Sequence, residues 1–383
     1  MARTILNETS YVGAGCRTEL IGELNRRNMK KALVVTDKDL IKFGVAKMVT
    51  DELDKGNIAY EIFSDIKPNP TIKNVQDGIK AFKSFNPDVI ISIGGGSVID
   101  TGKAIGIIIN NPAFADVKSL EGVADTKNKA FPMICFATTA GTAAEVTINY
   151  VITDEDAQRK LVCVDPNDIP VLAFNDAEMM VSMPKGLTAS TGMDALTHAI
   201  EGYITLGANP LTDLLCWNSI KFIADNLKNA VDNGKDLKAR EGMAYGSYVA
   251  GMAFSNVGLG IVHSMAHPLG ARFDIPHGVA NALLLPYVME YNKEAAKEKY
   301  VDIARAMGCE VRNLSVDEGA DLAIKAVKDL SLSIGIPQKL SEIGIKAEDL
   351  ETLASDAYID PCTGGNPRQT SVEEILEIYK TAL

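Results

Sequence analysis

Asp88-Val-Ile-Ile-Ser-Ile-Gly-Gly-Gly-Ser97 is a short apolar run that passes directly into three glycines and a serine, and a helix-like stretch follows to Ile109. Glycines lack a Cβ atom, so the backbone here can come close to a pyrophosphate. The start of the following helix offers unpaired N–H groups and the positive end of the helix dipole. The stretch therefore predicts a phosphate-binding turn between a strand and a helix. The alternative is a tight turn that needs glycine only for its backbone angles.

Similar apolar runs occur on either side of this stretch. Lys31-Ala-Leu-Val-Val-Thr-Asp37 and Pro132-Met-Ile-Cys-Phe-Ala137 are short, rich in apolar residues, and followed by polar turn residues. Val162, Val164 and the run at 171–174 indicate further strands. Short apolar strands separated by helices are typical of a parallel sheet that is buried on both faces.

The second half of the chain has a different pattern. Segments rich in Ala, Leu, Met, Glu and Lys replace the strands, for example at 211–229, 240–254 and 316–330. A chain of 383 residues is also longer than one hydrophobic core usually supports. We therefore predict an α/β domain with a parallel, Rossmann-like sheet that binds a dinucleotide over residues 1–184. An all-helical, metal-binding domain would follow over 185–383.

The composition is that of an ordinary soluble protein, with 46% apolar and 23% charged residues. The formal net charge of −12 argues against nucleic acid and anionic membranes as partners, since both select basic surfaces. No apolar run approaches the roughly 20 residues that cross a bilayer. The first residues have no apolar export signal, and the six cysteines are dispersed without a C-x-x-C pair. These features predict a cytoplasmic protein with reduced thiols.

Polar residues at the ends of two other predicted strands are candidates for the cofactor site. Asp37 could accept hydrogen bonds from both ribose hydroxyls and repel a 2′-phosphate, which would favour NAD over NADP. It precedes the glycines, whereas the ribose-binding acid of a Rossmann unit follows them by about 20 residues, and an ordinary turn or N-cap role is the alternative. Thr138, Thr139 and Thr142 could bind phosphate or ribose, or simply cap a helix.

Histidines are the strongest chemical signal, because all four of the chain lie between positions 198 and 277. With one nearby aspartate they form a set of five candidate groups: Asp194, His198, His263, His267 and His277. Asp194 and His198 are four residues apart, and so are His263 and His267, which would place each pair on one helical face. His277 would come from the loop that follows.

Five candidates exceed the needs of a tetrahedral metal site, so one would remain for proton handling or substrate contact. Glu201 lies one helical turn after His198. A carboxylate with imidazoles and no thiolate suits Fe²⁺, Zn²⁺, Mn²⁺ or Co²⁺. Taken singly, each histidine could be a buried, hydrogen-bonded core residue. The clustering of all four favours a metal site and hence an enzyme.

Several stretches together resemble one known family along nearly the whole chain. They are Ile5–Thr9, Pro68–Pro70, Gly94–Ser97, Thr138–Tyr150, Gly192–Gly202, Phe254–Gly260, His263–His277 and Cys362–Arg368. On these residues the chain resembles the group III, iron-activated alcohol dehydrogenases. Its tail motif, Cys362-Thr-Gly-Gly-Asn-Pro-Arg368, is similar to that of the lactaldehyde-reducing subgroup.

The resemblance implies a role for each candidate residue. The metal ligands would be Asp194, His198, His263 and His277, while His267 would lie near the nicotinamide and act catalytically. The positions that would surround the cofactor are Asp37, Asn69, Gly95, Gly96, Ser97, Thr138, Thr139, Thr142, Thr147, Asn149, Lys160, Met180 and Leu187. The positions that would line a small substrate pocket are Val162, Phe254, Leu259 and Cys362.

The reaction implied is the reversible reduction of a short aldehyde with NADH, with Fe²⁺ (or Zn²⁺) as the metal and His267 delivering the proton. Lactaldehyde with 1,2-propanediol is the first expectation; 1,3-propanediol, ethanol and butanol systems stay open. The apolar neighbours Phe254, Leu259, Val262 and Met265 favour a small neutral substrate over the phosphorylated substrate of the related dehydroquinate synthases. A zinc glycerol dehydrogenase stays open as well, and so does a non-catalytic nucleotide-binding protein with a structural metal. A homodimer or a multiple of dimers is expected.

Overall fold

The computed structural model describes residues 2–383, and these residues divide into two compact units. The α/β unit contains residues 4–139 and 143–182. The helical unit contains residues 183–383 together with 2–3 and the short segment 140–142. The sequence did not predict that this segment, which includes Thr142, groups with the helices.

The α/β unit is built on a parallel sheet. Its strands are β1 (Thr9–Val12), β2 (Lys31–Val35), β3 (Ala59–Phe63), β4 (Val89–Gly94), β5 (Met133–Ala137), β6 (Asn149–Asp154), β7 (Arg159–Val164) and β8 (Leu172–Asn175). The order in the main sheet is β1-β8-β5-β4-β2-β3, and all of its neighbours pair in parallel. The predicted parallel sheet is thus confirmed.

The sheet is buried on both faces, which explains the uninterrupted apolar runs. The helices of this unit are α1 (Leu20–Arg26), α2 (Lys38–Lys42), α3 (Val45–Lys55), α4 (Ile72–Phe85) and α5 (Gly96–Asn110). Leu33 and Ile90 belong to one hydrophobic cluster, whereas the adjacent Val34 and Ile91 belong to another. Since successive side chains of a strand point to opposite faces, each face of the sheet has its own core.

Strands β6 and β7 form a separate antiparallel pair outside the main sheet. Val162 and Val164 lie in β7, so their prediction as strand residues is confirmed. They do not extend the parallel sheet, however. An apolar run predicts a strand but not the strand it pairs with, because contacts between residues distant in sequence determine the pairing.

The helical unit follows at residue 183. Its helices are α6 (Lys185–Ile204), α7 (Pro210–Asp232), α8 (Leu237–Val257), α9 (Ile261–Phe273), α10 (His277–Ala306), α11 (Val316–Ser333), α12 (Leu350–Tyr358) and α13 (Val372–Ala382). Several begin with side-chain caps; Asn209 accepts backbone N–H groups ahead of Pro210, and Ser315 forms a capping box with Glu318. Residues 183–383 contain no β-strand, as the sequence predicted.

Within residues 2–383, no single helix is long and apolar enough to cross a membrane. Only α8 and α9 taken together reach that length and apolarity, and the two helices are bent by 102° relative to each other.

Candidate active site

Three predicted cofactor segments follow three neighbouring strands of the parallel sheet. Asp37 comes after β2, Gly95 after β4 and Thr138-Thr139 after β5, and β4 lies between the other two strands. The chain passes from β2 to β3 on one side of β2 and then to β4 on its other side. Parallel α/β sheets bind ligands at the carboxyl ends of strands where the order reverses in this way.

The glycine turn has a steric reason in addition to its suitability for phosphate. Gly95 is the residue before α5, and a Cβ atom placed on it would lie 3.0 Å from Thr139 Oγ1 and 3.1 Å from Thr139 Cγ2. Gly96 and Ser97 form the first turn of α5. The turn therefore brings the free N–H groups of a helix start close to the threonine loop after β5, which is an arrangement that suits a pyrophosphate.

Asp37 is the N-cap of α2, where Asp37 Oδ1 accepts a hydrogen bond of 2.8 Å from the Leu40 N–H. The capping role that the sequence left open is thus present in the structure. It engages one carboxylate oxygen, and the ribose role of the residue stays a prediction.

The other cofactor candidates of the α/β unit lie on or next to the β6–β7 pair. Lys160 Nζ donates to Asn69 Oδ1 over 2.8 Å. The buried Lys103 was not among the sequence candidates; its Nζ donates to the carbonyl oxygens of Thr147 and Asn149 over 2.6 and 2.8 Å.

The remaining cofactor candidates are divided between the units. Met180 ends a buried turn of 3₁₀-helix in the α/β unit. Leu187, in the first turn of α6, and Thr142 belong to the helical unit.

The four predicted metal ligands converge in the helical unit. Asp194 and His198 lie one turn apart on α6, His263 lies on α9, and His277 is the first residue of α10. One ligand atom from each of the four lies within 4.8 Å of the others. The first three side chains are buried and His277 is half-buried. The expectation that His277 belongs to a loop was wrong: Pro276 is the N-cap of α10, and His277 is its first helical residue.

The contacts inside this cluster test whether it fits a cation. His198 Nε2 and His263 Nε2 are 3.0 Å apart. Asn281 Nδ2 lies 2.7 Å from Asp194 Oδ1, 3.1 Å from His263 Nε2 and 3.0 Å from His277 Nε2. An amide carries two hydrogens and cannot donate to three acceptors at once. Three imidazole nitrogens and one carboxylate oxygen within 4.8 Å of one another are a donor set that fits Fe²⁺ or Zn²⁺.

The protonation of the ligands fits the same interpretation. Burial lowers the pKa of His198, although the Asp194 charge opposes this. Burial also lowers the pKa of His263 well below its ordinary value, and the neighbouring histidines add to the effect. Both imidazoles are therefore neutral near pH 7, which is the form that binds metal.

Glu201 contacts the Nδ1 atom of one of these ligands, His263. Its Oε2 lies 2.5 Å from His263 Nδ1, and its Oε1 accepts the Val262 N–H over 2.7 Å. Burial raises the pKa of Glu201 to about 8, although the N–H groups of Val262 and Gly260 favour the ionised form. A carboxylate on the far nitrogen fixes the ring of a metal-binding histidine and selects its tautomer.

His267 lies beside the four ligands, with its ring stacked on that of His277 at 5.6 Å, but its polar contacts are different. It belongs to a second group with Asp360 and Cys362, in which the ligand-type atoms also lie within 4.8 Å of one another. His267 Nδ1 is 2.7 Å from Asp360 Oδ2. Burial, together with the charges of Asp360 and Glu201, raises the pKa of the Cys362 thiol well above its ordinary value. Cys362 is therefore a neutral thiol.

Predicted substrate residues are found in both units. Phe254 stacks on His198 with ring centroids 4.2 Å apart, and Leu259 lies in the turn between α8 and α9. Val162 lies in β7 of the α/β unit.

Two residues beside the histidines, Asn281 and Asp360, were not among the candidates predicted from the sequence. Asn281 had a usable signal, because it lies four residues after His277 and hence on the same helical face. Asp360 had none, because its contact with His267 spans 93 residues.

Comparison with known proteins assigns the chain to a family. Residues 7–177 match the family model described as iron-containing alcohol dehydrogenase. Residues 188–383 match the C-terminal model of the same family. The chain belongs to the iron-containing alcohol dehydrogenases.

Individual relatives agree with this assignment. The enzyme is 55% identical to a lactaldehyde reductase of Escherichia coli (strain K12), over 99% of each chain. It is 45% identical to a 1,3-propanediol dehydrogenase of Citrobacter freundii, over 98% of this chain and 95% of that one. A crystal structure of a 1,3-propanediol oxidoreductase superposes with a TM-score of 0.97 and 42% identity, covering 100% of both chains.

The enzyme is thus an oxidoreductase that acts on CH–OH groups with a metal and NAD. Membership of this family favours an oxidoreductase over a lyase and over a non-catalytic nucleotide-binding protein.

Proposed function

We propose that the enzyme reduces lactaldehyde to 1,2-propanediol reversibly with NADH as the hydride donor, and with Fe²⁺ held by Asp194, His198, His263 and His277. The observation that carries the proposal is the convergence of these four donors within 4.8 Å in a chain 55% identical to a lactaldehyde reductase. We further propose that NAD is preferred over NADP, with Asp37 at the adenosine ribose. The working form would be a cytoplasmic homodimer or multiple of dimers, without nucleic acid or membrane partners.

When bound, the metal supplies Lewis acidity to a carbonyl oxygen and NADH supplies the hydride. The side chains of the protein orient the metal ligands and supply the proton. Glu201 holds the ring of His263 in one orientation, and Phe254 covers one face of His198 and keeps water from it. His267 delivers the proton that the product hydroxyl requires, as a general acid.

A second candidate substrate is the aldehyde that corresponds to 1,3-propanediol. The 45% identity to a 1,3-propanediol dehydrogenase and the TM-score of 0.97 with a 1,3-propanediol oxidoreductase favour it over other alcohols. Both diols have three carbons and differ in the position of the second hydroxyl. Polar contacts to that hydroxyl, rather than pocket size, would decide between them.

The test is a comparison of kcat/KM under anaerobic conditions. The enzyme would be purified without metal, loaded separately with Fe²⁺ and with Zn²⁺, and assayed for NADH oxidation with lactaldehyde, 3-hydroxypropanal, acetaldehyde and butanal. We expect lactaldehyde with Fe²⁺ to give the highest kcat/KM.

Three outcomes would contradict parts of the proposal. A higher kcat/KM for 3-hydroxypropanal would replace the substrate, and a higher value with Zn²⁺ would replace the metal. Full turnover by His198→Ala, which removes a ligand and with it the metal, would overturn the metal-dependent mechanism as a whole.

A further inference from the structure

The segment that starts at Asp360 is fastened to helix α9, which carries His263 and His267. Asp360 caps the short 3₁₀-helix Pro361–Gly365, and its Oδ1 accepts the Cys362 N–H over 2.8 Å. Thr363 Oγ1 donates to Ala357 O over 2.8 Å, and Ser264 Oγ on α9 lies 2.8 Å from the same hydroxyl. The end of the segment is fixed as well, because a Cβ atom on Gly365 would lie 2.2 Å from Leu259 O.

Both oxygens of Asp360 are engaged, and one of them faces His267. Asp360 Oδ2 is 2.7 Å from His267 Nδ1, and the two side chains are 9% and 8% exposed. Burial alone would raise the pKa of Asp360, but the contact with His267 and the Cys362 N–H outweigh it and lower that pKa. An ionised carboxylate only accepts hydrogen bonds, so His267 Nδ1 carries the hydrogen and Nε2 is the nitrogen that can exchange a proton with a substrate.

We propose that Asp360 is a positioning residue that fixes the ring orientation and the tautomer of His267. The segment Asp360–Gly365 holds this carboxylate against α9. The proposal rests on the proposed function only in giving His267 the proton-delivering role. The arrangement has the logic of a carboxylate behind a catalytic histidine, in which loss of the carboxylate leaves the ring in the wrong tautomer.

The kinetic test uses Asp360→Asn, which keeps the shape of the side chain and removes its charge. We expect kcat to fall about 10²-fold, the range in which a positioned acid–base group acts. The KM for aldehyde, the affinity for NADH and the metal content should stay within about twofold, since uniform binding is not affected. In a His267→Ala background, Asp360→Asn should have no further effect, because residues that act as one unit are not additive.

A matched control lies four residues before Asp360 and also contacts α9. Asp356 on α12 pairs with Arg272 on α9, and both are about one-third exposed. Asp356→Asn should leave kcat unchanged. Equal losses in the two aspartate variants would indicate only a structural link between α9 and residues 356–360. An Asp360→Asn loss that persists at full size without His267 would likewise overturn the proposal.

NMR of the histidine rings tests the tautomer of His267 independently of enzyme activity. The chain has only four histidines, so ¹⁵N-histidine labelling of the Zn²⁺-loaded enzyme gives four ring spectra, and His267→Ala identifies one of them. We expect a protonated Nδ1 on His267, and a shift of the hydrogen toward Nε2 in Asp360→Asn. An unprotonated Nδ1 in the unaltered enzyme would overturn the proposal. An enzyme that reduces none of the aldehydes but shows this tautomer would overturn only the proposed function.

Discussion

Asp37 has two possible tasks, and they can be separated by substitution. It caps α2 through the Leu40 N–H, and we predict that its charge also discriminates against the 2′-phosphate of NADPH. Asp37→Asn keeps a capping oxygen and removes the charge, so we expect kcat/KM with NADPH to rise on the order of 10-fold or more while thermal stability is unchanged.

The neighbouring Asp39 provides the control, because it is an exposed acid in the first turn of the same helix. Asp39→Asn should leave the cofactor preference unaltered. If Asp37→Asn and Asp39→Asn discriminate between NADH and NADPH as strongly as the unaltered enzyme, Asp37 has no role at the ribose.

Glu201 offers a second prediction at the level of single residues. Glu201→Gln replaces the carboxyl group that orients His263 with an amide. Loss of such an outer partner costs about 10- to 100-fold in metal affinity. We expect that loss in a competition titration of Fe²⁺ or Zn²⁺ against a chelator, with the exposed Glu298→Gln as the control. Equal affinities in the two variants would show that Glu201 does not support the metal site.

Part of this site could be predicted from the sequence, and part could not. Asp194 and His198 were predictable as neighbours because four residues make one helical turn, and the structure brings them together with His263 and His277. The distinct polar contact of His267 depends on Asp360, which is brought to it only by the folding of the chain after α12. Spacing along the chain carries no information about such a contact.

At the level of elements, Lys103 links α5 to the start of β6. Its fully buried ammonium donates to the carbonyl oxygens of Thr147 and Asn149, and Asp100 one turn earlier accepts the Val151 N–H over 3.0 Å. Lys103→Met fills the same space but removes the donor of both bonds and the positive charge near Asp100. Breaking a buried charged network costs about 3–5 kcal/mol.

We expect this loss in urea unfolding of the enzyme, together with weaker NADH binding, because Thr147 and Asn149 are predicted cofactor residues. The exposed Lys83→Met on α4 is the control and should change neither quantity. A Lys103→Met enzyme as stable as this control would mean that the buried ammonium contributes nothing to the fold.

Within the main sheet, the strands that the sequence predicted and those that it missed differ in burial. β2, β4, β5 and β8 are almost wholly buried and appear as apolar runs. β1 and β3 are the edges of the sheet and are half-buried or exposed, so Thr9–Val12 and Ala59–Phe63 lack the apolar pattern. Edge strands need only one paired side, and their sequences are correspondingly less constrained.

For the whole molecule, the distribution of the two sites over the two units has a thermodynamic consequence. The metal ligands all belong to the helical unit, while the glycine turn, Asp37 and Thr138-Thr139 belong to the α/β unit. A ligand that binds only the native state stabilises it, by about 2.7 kcal/mol at 100 times its Kd. Metal and NADH should therefore each raise the melting temperature on their own.

Metal removal tests this directly. We expect chelation of Fe²⁺ to abolish turnover and lower the melting temperature, while the helical circular dichroism at 25 °C and the Kd for NADH stay within about twofold of the loaded enzyme, since the metal donors do not form the cofactor turn. His198→Ala is the control, because a chelator should no longer change its melting temperature. A collapse of the helical signal on chelation would instead make the metal a requirement for folding, and a large loss of NADH affinity would mean that the two sites cannot be filled independently.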